Sequence, residues 1–165
     1  MDANEVAARA WDLRVNMMRV ALSILHHGAD AEDAVSTAML NAYRGAGALH
    51  DGEKLNAWLM RILVRCCYDL LRKRKREAPV EDPDAFDEPV LLETEGSVFE
   101  AIQQLPQPYR KILVLYYYEG FKAKEIAHIL SMQVGTVLVQ LSRGRNKLKV
   151  ILEKEGVVHS GKQAI

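Results

Sequence analysis

Apolar residues recur along most of the chain at steps of three and four residues, which is the period of an amphipathic α-helix. In the first part of the chain this pattern predicts three helices, over residues 4–27, from Asp30 onward, and over residues 55–76. Gly28 is expected to end the first helix and Asp30 to cap the second. Three glycines within residues 45–52 predict a loop before the third helix. We expect these helices to form one small domain, residues 1–76.

The same helical period returns after residue 96. A capping box at Ser97–Glu100 predicts the start of a short helix, which Pro106 and Pro108 separate from the next one. Further helices are predicted over residues 109–119 (ended by Gly120), 122–130 and 134–153, with a turn at residues 131–133. This second domain would span residues 97–155 and be followed by a frayed tail, residues 156–165.

Residues 77–96 lack a helical period and hold three prolines among acidic residues, which predicts a flexible linker. The expected fold class is therefore all-α. It comprises a three-helix domain and a four-helix domain joined by the acidic linker.

The distribution of charge points to nucleic acid, although the formal net charge of the chain is zero. Residues 61–76 carry seven Lys or Arg and a single Asp, and residues 121–150 carry six Lys or Arg and one Glu. Residues 77–100, between them, carry nine Asp or Glu and no basic residue. The net value therefore hides two basic segments, each of which is typical of a surface that contacts phosphates. The alternative for each segment is a solvated basic face.

Other functional classes find little support in the sequence. The acidic N-terminus does not resemble a signal peptide, and no apolar run reaches the length of a membrane span, so we expect a cytoplasmic protein. Cys66 and Cys67 are adjacent, which does not suit a structural zinc site and predicts buried reduced thiols. The five histidines form no metal-ligand pattern, and no nucleophile–base pair or phosphate-binding glycine loop is visible. We therefore expect no metal, no cofactor, no small-molecule substrate and no enzymatic activity.

Residues 124–137 have the spacing of a helix-turn-helix. The small Ala127 would allow two helices to cross closely, and their shared core would come from Ile126, Leu130, Val134 and Val137. The second helix would then enter the major groove of DNA with its N-terminal half. A plain helical hairpin is the alternative.

Residues 97–149 resemble the fourth conserved region of sigma factors of the extracytoplasmic-function (ECF) class. The resemblance is carried by Leu105-Pro106, Tyr109-Arg110, residues 116–121, Glu125-Ile126-Ala127 and residues 134–137, followed by Leu141, Arg143, Arg145 and Leu148. Residues 13–76 resemble the second conserved region of the same proteins in residues 30–35, 57–62 and 69–72. The two regions occur in the expected order and cover most of the chain.

This resemblance implies a transcription initiation factor whose partners are core RNA polymerase, promoter DNA and an anti-sigma factor, with no membrane insertion. The polymerase would be contacted by Glu32, Asp33, Ser36, Thr37 and Leu40. The minus-ten element would be read by His50, Asn56, Trp58, Arg61, Arg65, Arg72, Lys73 and Arg74. The minus-thirty-five element would be read by Lys122, Lys124, Gly135, Thr136, Gln140, Arg143, Arg145 and Lys147.

In the first domain, Asn56, Arg61 and Arg65 are expected to lie along one side of the long helix and to hold a displaced DNA strand by its phosphates. The glycine loop before that helix would receive an unstacked base. For Trp58 a place in the core is the alternative to contact with DNA.

The chain departs from the family pattern at two places. Leu138, Val139 and Gln140 stand where Lys, Ser and Arg are usual, so DNA binding is weakened or these residues serve a partner surface. Ser36 and Thr37 replace a Gln and an acid in the polymerase-binding helix. Two other functions therefore stay open: a stand-alone helix-turn-helix regulator, and a sigma-like interaction protein with degraded DNA reading.

The acidic linker admits two interpretations. It is either a solubilising tether or a mimic of nucleic acid that threads the polymerase channel or covers a basic patch of the free protein. Promoter sequence, inducing signal and domain arrangement do not follow from the sequence.

Overall fold

The computed structural model describes residues 1–77 and 97–156. The chain divides into two compact units, an N-terminal unit and a C-terminal unit. The N-terminal unit contains α1 (Ala3–Asp12), α2 (Arg14–Leu25), α3 (Gly28–Arg44) and α4 (Leu55–Glu77). The C-terminal unit contains α5 (Ser97–Gln103), α6 (Gln107–Leu113), α7 (Ala123–Leu130) and α8 (Val134–Lys154). The part of the chain that is described is thus all-α, which confirms the predicted fold class.

In the N-terminal unit, α3 and α4 pack on each other and on α2. Four small side chains of α3, Ala31, Ala34, Ala38 and Ala42, are completely buried. Because alanine adds so little volume, α3 can lie close to its neighbours, and longer side chains such as Leu59 and Leu63 of α4 fill the remaining core.

Three details of the predicted N-terminal unit are wrong. The first helix is interrupted at Leu13, so this unit has four helices rather than three. Gly28 does not end that helix, because His26 adopts the left-handed conformation there and Gly28 is already the first residue of α3. The cap of α3 is not Asp30 either. The Nδ1 atom of His27 accepts a hydrogen bond from the backbone N–H of Asp30 over 3.2 Å, which satisfies a free donor of the first turn.

Cys66 and Cys67 are buried free thiols, as predicted. Burial raises the pKa of both thiols, and at Cys66 it outweighs the hydrogen bond from Asn41, which lowers that pKa. At neutral pH both cysteines are therefore protonated and poorly nucleophilic. Burial also raises the pKa of the adjacent Tyr68, to about 12.

In the C-terminal unit, α6 crosses α8 at a glycine. A Cβ atom on Gly144 would lie 3.2 Å from Cβ of Tyr109 and 3.4 Å from Cδ1 of Leu113. Glycine therefore allows a close approach that any larger residue would force apart by a few tenths of an ångström. The guanidinium of Arg110 is buried and donates a hydrogen bond to the carbonyl of Leu105 over 2.8 Å. That bond ties α6 to the turn that follows α5.

The helix predicted over residues 109–119 is α-helical only as far as Leu113, and its last part is wound more widely than an α-helix. After Leu113 the backbone continues as a π-type turn, Val114–Tyr118, in which the N–H of Glu119 donates to the carbonyl of Val114. Gly120 follows in the left-handed conformation, at φ 74°, and ends the segment.

Several predictions fall largely outside the described residues. They are the acidic linker, apart from Glu77, the C-terminal tail, apart from Gly156, and the side chain of Ser97 in the predicted capping box. Within the described ranges, no helix is long and apolar enough to cross a bilayer. The same ranges hold no cluster of three or more His, Cys, Asp or Glu side chains suited to a metal ion.

Candidate nucleic-acid interface

The helix-turn-helix is formed by α7, a turn at residues 131–133 and α8. At the start of α7, the carboxylate of Glu125 accepts a hydrogen bond from the backbone N–H of Lys122 over 3.0 Å. Ser131 adopts the left-handed conformation at φ 55°, which turns the chain between the two helices. Ile126, Leu130 and Val137 are buried in the shared core, as their spacing predicts. The prediction is wrong for Val134, which is 36% exposed in the first turn of α8.

The buried face of α8 shows which side chains remain available to a partner. It is formed by Val137, Leu141, Gly144, Leu148 and Leu152. Four of the predicted DNA-binding residues lie together on another side of the helix, because they are spaced by four, three and four residues: Thr136, Gln140, Arg143 and Lys147.

Arg145 does not join this row. It follows Arg143 by two residues, which places it about 200° around the helix at 3.6 residues per turn. Lys149 lies near it on the same flank. The structure therefore places Arg143 and Arg145 on opposite flanks of α8. The outward face of α8, which is the side opposite its buried residues, lies between them. A helix lying in a major groove has a phosphate backbone on either side, and cations on both flanks suit that geometry.

Two tyrosines that sequence analysis missed contact these cations. Nε of Arg145 donates a hydrogen bond to the phenol oxygen of Tyr117 over 2.7 Å. The Lys147 ammonium lies 5.7 Å from the ring centroid of Tyr109. The run Tyr116-Tyr117-Tyr118 was visible in the sequence, but nothing in its spacing indicated that one ring would meet a residue of α8.

The remaining predicted residues of this unit are accessible. Lys122 and Lys124 are exposed at the start of α7, and Gly135 is exposed in the first turn of α8. A Cβ atom on Gly135 would meet nothing within 4 Å. Packing within the protein therefore does not require glycine at this position, although its small size would permit close approach of a partner.

In the N-terminal unit, three predicted residues share one side of α4. Trp58, Arg61 and Arg65 follow one another by three and four residues, and all three are exposed or half-buried. The structure does not place Asn56 with them. Asn56 precedes Arg61 by five residues, which turns it about 140° away around the helix.

Trp58 was predicted either to belong to the core or to contact DNA. It is half-buried, so it is not a core residue, but only part of its ring is accessible to a partner. Its Cζ2 atom would lie 3.8 Å from a Cβ on Gly45, so the indole covers the start of the glycine loop. Nearby, the N-terminal ammonium of Met1 donates a hydrogen bond to the carbonyl of Leu49 over 2.9 Å. His50, the next residue of the loop, is exposed.

The basic end of α4 is partly neutralised within the protein. Arg74 forms an ion pair with Asp30 of α3, with 3.2 Å between Nη1 and Oδ2. Arg72 pairs with Asp69 on its own helix. Lys73, by contrast, is exposed to solvent. Of the three predicted minus-ten residues at this end, Arg72 and Arg74 are therefore paired with carboxylates of the protein, whereas Lys73 is accessible to phosphates.

The predicted polymerase-binding residues form one surface. All five are exposed and lie on the side of α3 opposite its buried alanines: Glu32, Asp33, Ser36, Thr37 and Leu40. Tyr43, three residues after Leu40 and 45% exposed, extends this surface and was missed. Its position at helical spacing could have revealed it.

Comparison with known proteins places both units in one family. Residues 13–77 match the family described as Sigma-70 region 2, and residues 96–148 match the one described as Sigma-70, region 4. The chain is 32% identical over 149 residues to the ECF RNA polymerase sigma factor EcfG of Rhodopseudomonas palustris, an alignment that covers 86% of this chain and 81% of that one. The chain belongs to the ECF class of the sigma-70 family.

A second ECF relative is similar over part of its length. This sigma factor is 37% identical over 126 residues to SigM of Mycobacterium tuberculosis, which covers 74% of this chain. It spans only 64% of the length of that relative.

Two solved structures share the fold of this sigma factor. One is the sigma factor RpoE of Bartonella quintana, crystallised with the anti-sigma factor NepR, with a TM-score of 0.71, 28% identity and coverage of 87% of this chain and 95% of that one. The other is CnrH in complex with the cytosolic domain of CnrY, with a TM-score of 0.62 and 21% identity over 93% of this chain and 96% of that one. The second similarity concerns the fold alone.

Proposed function

We propose that this ECF sigma factor binds core RNA polymerase and directs it to promoters in the cytoplasm. In this function the N-terminal unit reads the minus-ten element and the C-terminal unit the minus-thirty-five element. The protein acts by binding and not as an enzyme. The observation that carries the proposal is α8, which follows a helix-turn-helix turn and presents Thr136, Gln140 and Arg143 on one accessible side.

Two further surfaces support the same function. The exposed side of α3 carries Glu32 and Asp33 at its start and Leu40 further along, a mixed polar and apolar surface suited to a large protein partner. On α4, Arg61 and Arg65 lie beside Trp58, so cations that hold phosphates adjoin an aromatic ring on which a base can stack.

Run-off transcription with purified core polymerase, on promoter-bearing genomic fragments, tests the proposal. We expect defined transcripts only when the protein is present, and their loss when Arg61 and Arg65 are both changed to alanine. Arg9→Ala is the matched control, because Arg9 is an exposed arginine of α1 outside the proposed surfaces. It should leave the transcripts unchanged.

The same experiment separates the other two candidates. Binding to core polymerase without any new transcript would favour an interaction protein, for which the apolar Leu138 and Val139 on α8 are the supporting observation. Binding to duplex DNA without binding to core would favour a stand-alone regulator.

We further propose that an anti-sigma factor regulates this protein, on the basis of its similarity to RpoE, which was crystallised with one. A protein that co-purifies with the chain and abolishes run-off transcription when added back would support this partner. A co-purifying protein that leaves transcription unchanged would contradict it.

A further inference from the structure

Val139 is an apolar side chain on the outward face of α8. It is 47% exposed and follows the buried Val137 by two residues, which places it about 200° around the helix from the core. Its neighbours on this face, at four-residue steps, are Gly135 and Arg143. Val139 therefore lies in the part of the helix that would be deepest in a groove.

The charges around Val139 suggest what would cover it. Arg143 and Lys147 lie to one side of the outward face, and Arg145 and Lys149 lie to the other. A partner that fits this face is anionic along two edges and offers an apolar group between them. The major groove of DNA has this arrangement, because phosphates line both sides and the 5-methyl group of thymine projects from the floor.

A protein partner fits the same face less well. Protein interfaces are depleted of lysine, whereas Lys147 and Lys149 flank the row in which Val139 lies. Gly135 and Asn146 in that row add no apolar side chain. The other exposed apolar side chain nearby, Leu138, is turned about 100° away toward the flank that carries Arg145.

We propose that Val139 is a specificity-determining residue that contacts the 5-methyl group of a thymine in the minus-thirty-five element. This inference rests on the proposed function, and it adds the base and the chemical group that the helix recognises.

The test uses the full chain bound to core polymerase. Preferred duplexes are first selected from a pool with a randomised minus-thirty-five segment and checked by run-off transcription. Each thymine of the selected segment is then replaced by uracil, which removes only the methyl group and keeps base pairing. Affinity is measured for the wild type, for Val139→Ala, and for Val150→Ala. The last is a matched control, since Val150 is also exposed on the outward side of α8 but three turns further on.

We expect uracil at one position to weaken binding of the wild type about fourfold, the fold-change that corresponds to losing the burial of one methyl-sized group. Val139→Ala should show no such loss at this position, and Val150→Ala should behave like the wild type. Because alanine favours the helix and the side chain is exposed, the variant should fold, which circular dichroism can check.

Two outcomes would overturn the inference while leaving the proposed function intact. In the first, transcription occurs but no thymine is sensitive to uracil. In the second, a thymine is sensitive but Val139→Ala keeps the same sensitivity; a loss of affinity of this variant for an anti-sigma factor would then assign the residue to a protein interface. If no transcript appears and no sequence is enriched, the proposed function fails and this inference fails with it.

Discussion

Arg145 of α8 is held by Tyr117, which lies in the π-type turn that follows α6. Nε of the arginine donates to the phenol oxygen over 2.7 Å, and the guanidinium carbon lies 5.9 Å from the ring centroid. Both side chains remain in contact with solvent. The tyrosine thus restricts a long cationic side chain without burying its charge, which reduces the entropy that the arginine would lose on binding a phosphate.

Tyr117→Phe removes the hydrogen-bond acceptor and keeps the ring. If Arg145 contacts a phosphate, we expect a two- to fivefold loss of affinity for a minus-thirty-five duplex, about 0.5–1 kcal/mol for one hydrogen bond. The loss should disappear in an Arg145→Ala background, because the tyrosine acts through that arginine. Fluorescence anisotropy at several salt concentrations measures both effects, and Arg145→Ala should lower the salt slope by about one.

Tyr116→Phe is the matched control for this prediction. Tyr116 stacks edge-to-face on Tyr117, with 4.9 Å between ring centroids, and its hydroxyl should not affect affinity. An equal loss for Tyr117→Phe in the presence and absence of Arg145 would show that the tyrosine has only a structural role.

The ion pair between Asp30 and Arg74 joins the start of α3 to the end of α4. Because both side chains are largely but not fully shielded from water, Asp30→Asn should lower the free energy of unfolding by about 0.5–1 kcal/mol. Part of this effect reflects the favourable carboxylate in the first turn of α3. A double-mutant cycle with Arg74→Ala in urea unfolding isolates the pair, and additive effects would show that the pair contributes nothing.

If the basic end of α4 contacts DNA as proposed, the same pair predicts that its residues contribute unequally to binding. Asp30 already offsets the charge of Arg74, whereas Lys73 is exposed. Lys73→Ala should therefore weaken binding of polymerase holoenzyme to a minus-ten duplex more than Arg74→Ala does. Asp30→Asn should strengthen it. A larger effect of Arg74→Ala would mean that DNA displaces the aspartate.

Gly144 allows α6 and α8 to approach closely where they cross. Its nearest neighbour would be Cβ of Tyr109, at 3.2 Å from an added Cβ, and this atom moves only with the backbone of α6. Gly144→Val should therefore destabilise the protein by about 1–3 kcal/mol. Gly135→Ala is the control within the same helix, since nothing lies within 4 Å of its added Cβ. It should leave the melting temperature equal or slightly raised.

Lys111 predicts a dependence of stability on pH. Burial, with a smaller effect of the charge on Arg110, lowers the pKa of Lys111 to about 8, whereas an unfolded lysine titrates near pH 10.4. Between these values the unfolded chain holds a proton that the folded chain has released, so stability should rise with pH over this window. Below pH 8 both states are protonated, and the cost of burying the ammonium is present in full.

Lys111→Met keeps the length of the side chain and removes the charge. It should raise the midpoint of urea unfolding at pH 7, and the difference from the wild type should shrink between about pH 8 and 10.4. Tyrosines titrate in both proteins, so the difference isolates the lysine. A constant difference across this range would contradict the prediction.

Most helices were predictable because their signal is local. The three- and four-residue steps of apolar positions in residues 55–76 and 134–153 closely match α4 and α8. The break at Leu13 was not predictable in this way, since the apolar period continues through it. The cap of α3 was also assigned to the wrong residue, because Asp30 is the more common capping type and His27 caps only through its observed ring orientation.

The residues of the candidate site could be predicted from the sequence, but the contacts between their side chains could not. The helical character of the chain, its resemblance to two sigma regions in order and its two basic segments all follow from the sequence alone. The pairing of Arg74 with Asp30, and the contact of Arg145 with Tyr117, 28 residues away along the chain, depend on how the helices pack. Helical periodicity depends on neighbours within one or two turns, whereas the partner of a charged side chain depends on which helices meet and at which residues they cross.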